Sequence, residues 1–105
     1  MAYDIIIAPE AVADLRRLTA RERAEVRDAM ETHLLHEPKK LSKSRIKRLR
    51  GLSYPQYRLR VADVRVFYDI TDTEVQVLAV IAKSDTDAWL AQEGQADENG
   101  SALGD

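Results

Sequence analysis

Apolar residues alternate with cationic ones along Tyr57-Arg58-Leu59-Arg60-Val61, pause at Ala62-Asp63, and continue through Val64-Arg65-Val66-Phe67-Tyr68. Side chains on a strand alternate between its two faces, so this pattern predicts a hairpin that turns at 62–63. Tyr57, Leu59 and Val61 then point into a core while Arg58, Arg60 and Arg65 leave it together. Tyr3 to Ala8 predicts another strand, stopped by Pro9, which opens a helix whose Val12, Leu15 and Leu18 recur at helical spacing. Thr19-Ala20-Arg21-Glu22 has the form of a capping box and begins a longer helix with Val26, Ala29, Met30 and Leu34 on one face, ending before Pro38. The two helices form a hairpin.

From Lys39 to Leu52 no period holds, and the segment is expected to wrap round the sheet edge with Gly51 as a turn. Ile46, Leu49 and Leu52, three apart, fit either one helical turn or an apolar anchor. Thr71 to Glu74 is a turn, and Val75 to Ala82 a nearly continuous apolar strand of the kind expected at the centre of a sheet. Ser84-Asp85-Thr86-Asp87 repeats the capping-box pattern and starts a terminal helix through Ala88, Trp89, Leu90 and Ala91. The order strand, helix, helix, three strands and a terminal helix predicts an α+β fold with a helical hairpin on one face of a mainly antiparallel sheet. One domain spans 1–92; residues 93–105 turn polar and acidic and are expected to form a disordered tail.

Net charge is only −2, which taken alone argues against a polyanionic partner, but the distribution reverses that inference. Between Pro38 and Arg60 stand nine cations and no acid, whereas Asp4 to Glu37 carries eight acids against five arginines. A field acts over about 10 Å at ordinary salt, so the basic stripe can attract phosphate whatever the molecular average, with solvation of a loop and helix end as the competing role of its lysines. The absence of cysteine excludes disulfides and thiolate metal sites and agrees with a cytoplasmic setting; no leader or membrane span is read at the start. His33 and His36 read as surface or helix-end residues, and Asp85 and Asp87 as helix-start residues, not as ligands. No cofactor is expected.

Lys47-Arg48-Leu49-Arg50-Gly51-Leu52, followed by Tyr57-Arg58-Leu59-Arg60-Val61 and Arg65-Val66-Phe67-Tyr68, resembles the RelE/ParE superfamily of bacterial toxins from type II toxin–antitoxin systems, over about Tyr3 to Leu90. The resemblance implies one of two activities: RelE-like members are ribosome-dependent messenger RNA endoribonucleases, and ParE-like members poison DNA gyrase. It also implies a cognate antitoxin that wraps the toxin. The basic residues that RelE-like nucleases carry on the hairpin fall on Arg58, Arg60 and Arg65. Their C-terminal arginine and tyrosine are not matched: Lys83-Ser84 stands in place of the first, and Trp89 or Leu90 in place of the second. The RelE-like branch is favoured; a gyrase poison and a catalytically silent module that binds antitoxin or nucleic acid are the alternatives.

Residue chemistry suits the nuclease. Metal-free RNA cleavage needs a 2′-hydroxyl deprotonated, a dianionic phosphorane stabilised and a 5′-oxygen protonated. Arg58, Arg60 and Arg65 are planar, permanently charged forks fit for the second task. Lys83 is the candidate titrating group, because desolvation or neighbouring guanidiniums lower a lysine pKa. Lys43, Lys47, Arg48 and Arg50 are candidate RNA-backbone contacts, and Tyr54 and Trp89 candidate stacking platforms, with core packing as the competing role for Trp89.

Overall fold

A computed structural model describes residues 2–96. Its elements are β1 (Asp4–Ile7), α1 (Pro9–Arg17), α2 (Ala20–Leu34), β2 (Ile46–Arg48), β3 (Leu52–Tyr54), β4 (Tyr57–Val61), β5 (Val64–Ile70), β6 (Glu74–Ala82), α3 (Thr86–Glu93) and β7 (Gln95–Ala96). Five strands form one sheet in the order β1-β6-β5-β4-β2, while β3 and β7 pair separately. Only β1 runs parallel to its neighbour, because the two helices carry the chain across the sheet before β6 is laid beside it. The α+β architecture, with an α1–α2 hairpin on one face, is the one the sequence pattern predicts.

Local chemistry explains the helices. Pro9 occupies the first position of α1, where its missing N–H costs nothing. At α2 the Glu22 N–H donates to Thr19 Oγ1 (3.1 Å) and the Thr19 N–H donates back to Glu22 Oε1 (2.9 Å), completing the capping box. Arg23 then donates from Nε to the Leu15 carbonyl and from a terminal nitrogen to that of Leu18, so one side chain satisfies the end of α1 and fixes the angle between the helices. Ala11, Val26, Met30 and Leu34 bury against Leu59, Val66, Tyr68, Val75 and Val77 of the sheet. The Tyr68 hydroxyl, inside this core, donates to the Pro38 carbonyl at 2.8 Å and anchors the chain leaving α2.

Several features refine the sequence expectation. Ile46 begins an edge strand, not a helical turn, and its buried side chain anchors β2 against Leu59. Thr86 to Glu93 is helical, but no side chain caps it: Lys83–Asp85 first makes a 3₁₀ turn, and Thr86 Oγ1 donates backward to the Lys83 carbonyl. The arginine face is not wholly free of helix. Phe67 shares that face, as its pairing with Arg58 requires, and α3 covers it by stacking Trp89 on its ring at 4.9 Å. Finally, β7 carries described structure beyond the expected boundary at 92; the rest of the expected tail, 97–105, lies outside the described residues. Gly94 permits the exit from α3, since a Cβ there would lie 2.5 Å from the Leu90 carbonyl that its N–H reaches.

The β6 strand shows how sheet and helix needs are reconciled. Its register against β5 skips Leu78, so Val75 and Val77 before the bulge and Val80 after it all join the helix-side core. Among the described residues, the outer edge of β6 beyond Val77 has no strand partner. Asp14 of α1 accepts the Val80 N–H at 3.0 Å, occupying a donor that would otherwise invite another strand.

Candidate functional site

Strand register assembles the site. Arg60 lies directly opposite Arg65 across β4 and β5, and Arg58 lies between Phe67 of β5 and Lys47 of β2. Lys47, Arg58, Arg60 and Arg65 therefore share the sheet face turned away from the helical hairpin, as alternation dictates. The guanidiniums feel one another. Burial, then Arg65, then Arg60 lower the Arg58 pKa; burial and then Arg60 lower that of Arg65, with Asp63 opposing. Among the described residues the ion pairs are Arg17–Asp14 and Lys40–Glu37, so no carboxylate of this set neutralises the cluster.

The three arginines are held differently. Arg60 is exposed. Arg58 is half-buried, donates one terminal nitrogen to the Ser44 carbonyl at 3.3 Å, and among the described residues has no partner for its buried Nε. Arg65 is only 7% exposed, and a single terminal nitrogen donates to the Ala62 and Val64 carbonyls at 2.9 and 3.0 Å. It braces the hairpin turn, where Ala62 adopts the left-handed φ of 51°. Arg65 both braces the turn and neighbours Arg58 and Arg60, a combination the sequence gives no means of foreseeing.

The remaining predicted residues spread outward. Lys43 and Arg50 are exposed on the loops flanking β2. Arg48 points to the other side of the edge, its guanidinium 5.3 Å from the centre of the Tyr57 ring and donating to the Leu49 and Gln56 carbonyls. Lys83 follows β6, exposed, in a shallow hollow with Asp63 and Asp87. Tyr54 sits in β3; burial, Asp69, Glu10 and Glu93 raise its pKa, so its hydroxyl lies among carboxylates. Trp89 spends a ring face on Phe67.

Among the described residues the site combines a guanidinium cluster that forms no carboxylate ion pair, a rigid sheet and a buried Arg58 N–H without a partner, an arrangement whose charge is suited to an anion. Proton-transfer groups are less evident from the arrangement: both histidines lie at or just beyond the end of α2, away from this face.

A sequence search of the curated proteins finds no match. Among solved structures, the chain is similar to the RelB–RelE antitoxin–toxin complex from Methanococcus jannaschii, at 18% identity over 80% of this chain and 96% of that one, with a TM-score of 0.62. It is likewise similar to the toxin–antitoxin complex RelBE2 from Mycobacterium tuberculosis, at 25% identity over 78% and 99%, with a TM-score of 0.62. The archaeal RelE–RelB complex from Pyrococcus horikoshii matches at 28% identity over 79% and 97%, with a TM-score of 0.57. The model of the ParE toxin of the type II toxin–antitoxin system parDE matches residues 5–86, which include every strand of the main sheet except the first residue of β1. The chain belongs to this family of type II toxin–antitoxin toxins, within the RelE/ParE superfamily.

Proposed function

We propose that this toxin cuts messenger RNA on the ribosome without a metal, and that a cognate antitoxin covers its arginine face to silence it. The observation that supports the proposal most is the cluster of Arg58, Arg60 and Arg65 on one sheet face, in which burial and neighbouring cations lower the pKa of Arg58 and Arg65. The pentacoordinate phosphorane carries an additional negative charge, so a cluster short of anions stabilises it more than the ground-state phosphodiester. Arg58 and Arg60 are the phosphate-holding forks, and Arg65 fixes the turn beside them. Lys83, at the open end of β6, is the candidate for drawing the proton from the 2′-hydroxyl. Alignment by the ribosome supplies the rest, for positioning alone lowers a barrier by about 7 to 11 kcal/mol.

The experiment is induction without antitoxin, followed by primer extension on translated messages. New 5′-ends within codons are expected, lost in Arg58→Ala and Arg60→Ala while growth arrest disappears with them. A second reading, poisoning of gyrase, is favoured by the match to the ParE toxin model and by the unmatched C-terminal arginine and tyrosine at Lys83 and Trp89. Intact messages together with trapped gyrase–DNA cleavage complexes would replace the first proposal with the second. Expression without any growth arrest would point instead to a silent binding module.

A further inference from the structure

Arg45 sits one residue before β2, and its backbone carbonyl accepts the Arg60 N–H at 2.8 Å. Continuing the β2–β4 register therefore sets Arg45 beside Arg60, as Arg60 is beside Arg65, in a row across three adjacent strands. Its guanidinium does not join that row. It reaches round the sheet edge to the last turn of α2, where one terminal nitrogen lies 3.2 Å from Nε2 of His33. Arginine has donors and no acceptor, so this contact is a hydrogen bond only when the imidazole is neutral and offers a lone pair at Nε2. Arg45 thus stands between two hollows. One is lined by His33, Glu37, Lys40 and Ser42; the other, on the cationic side, is lined by Ser44, Arg60 and Ala62.

We propose that Arg45 is a further phosphate ligand, stored against neutral His33 and delivered beside Arg60 and Ser44 when a phosphodiester enters that hollow or when His33 gains a proton. The proposal rests on the polyanion-binding reading of the arginine face and extends it by one subsite, for the phosphate next to the one held at Arg58 and Arg60. Three charged groups face the imidazole hollow: Arg45 from the strand end, Glu37 from the segment after α2, and Lys40 from the following loop. Glu37 and Lys40 engage each other at 3.8 Å, which leaves Arg45 as the cation in hydrogen-bond range of the ring. Burial and then Arg45 lower the His33 pKa, consistent with a ring held in its acceptor form. Protonation converts the acceptor into a donor and sets two cations against each other, so Arg45 is expelled.

Linkage makes this testable without any cleavage: if phosphate draws Arg45 away, it must raise the proton affinity of His33, and acid must tighten phosphate binding by the same factor. The probe is a short 2′-O-methyl oligoribonucleotide, which cannot be cut and whose diester charges do not titrate between pH 5 and 8. The His33 ring is followed by NMR, with exposed His36 as the internal reference. Saturating oligonucleotide is expected to move the His33 midpoint upward, and binding is expected to strengthen about fivefold from pH 7.5 to 5.5. Arg45→Gln should raise the His33 midpoint in the free protein and abolish its response to oligonucleotide; His33→Gln should bind with a flat pH profile. If Arg45→Gln fails to fold, Arg45→Lys, which keeps the charge without the fork, is expected to weaken binding and shrink the response. A His33 midpoint indifferent to the oligonucleotide, or an equal response in the Arg45 variants, overturns the proposal while leaving codon cleavage by the main cluster untouched. Absence of cleavage in cells, with the linkage intact, would overturn only the nuclease.

Discussion

Replacing Arg58 with methionine is expected to make the folded protein more stable while abolishing its toxicity. Arg58 has Arg65 diagonally across the strand pair and Arg60 two residues along its own strand, separations of about 7 Å between Cβ atoms. At that distance two like charges repel by about 0.6 kcal/mol at the dielectric of water, and salt trims the value further at a half-exposed site. The orphan Nε adds about 1 kcal/mol, the lower end for an unpaired buried donor. Against these stands one long hydrogen bond to the Ser44 carbonyl, worth about 0.5 kcal/mol. Methionine keeps much of the buried stem and removes the charge, so a net gain of about 1 kcal/mol follows, or about 4 to 8 °C in Tm for a domain of this size. Thermal unfolding with and without phosphate checks it. The native protein should gain about 1.4 kcal/mol at phosphate ten times its Kd, and Arg58→Met markedly less. A variant that melts lower than the native protein, or that responds to phosphate equally, would refute the claim that binding power is stored here as electrostatic strain.

Other consequences can be checked independently. Ala62 holds a left-handed φ of 51°, so Ala62→Gly should raise stability by about 1 kcal/mol in urea unfolding without altering toxicity. Tyr68→Phe leaves the Pro38 carbonyl unpaired inside the core and should cost about 1 to 3 kcal/mol, read as a lower urea midpoint at unchanged m-value. The Asp69 carboxyl is raised above its ordinary value by burial, although the Gln56 N–H and Arg48 oppose the shift. In the window above pH 3.8 the folded state therefore binds more protons than the unfolded one, and the ionised carboxylate weighs against folding as pH rises through its folded pKa. Asp69→Asn should accordingly be more stable than the native protein at neutral pH and lose that advantage near pH 4; an advantage of equal size at both pH values would contradict it.

Wherever structure depends on neighbours in sequence, the chain itself is decisive. Pro9 and the Thr19–Glu22 box set the helix starts, and the alternation from Tyr57 to Tyr68 fixes both hairpin strands and the sidedness of Arg58, Arg60 and Arg65. These outcomes are local because capping and strand periodicity involve residues two to four apart. Tertiary structure decides what depends on distant partners. Ile46 becomes a strand only because Leu59 offers an edge, and Trp89 becomes the cover of Phe67 because an apolar ring on the arginine face needs one. Ser84-Asp85-Thr86-Asp87 has capping chemistry, yet the way the chain leaves β6 imposes a 3₁₀ turn that leaves the cap unformed. Arg45 and His33 are twelve residues apart with no shared periodicity, and only the meeting of a strand end with a helix end brings donor to acceptor. The sequence by itself determined that this protein presents arginines on one face of a sheet. Which of them stand free, which brace the turn and which is held in reserve was decided by packing, because a guanidinium on a flexible stem goes wherever the folded neighbours leave it an acceptor.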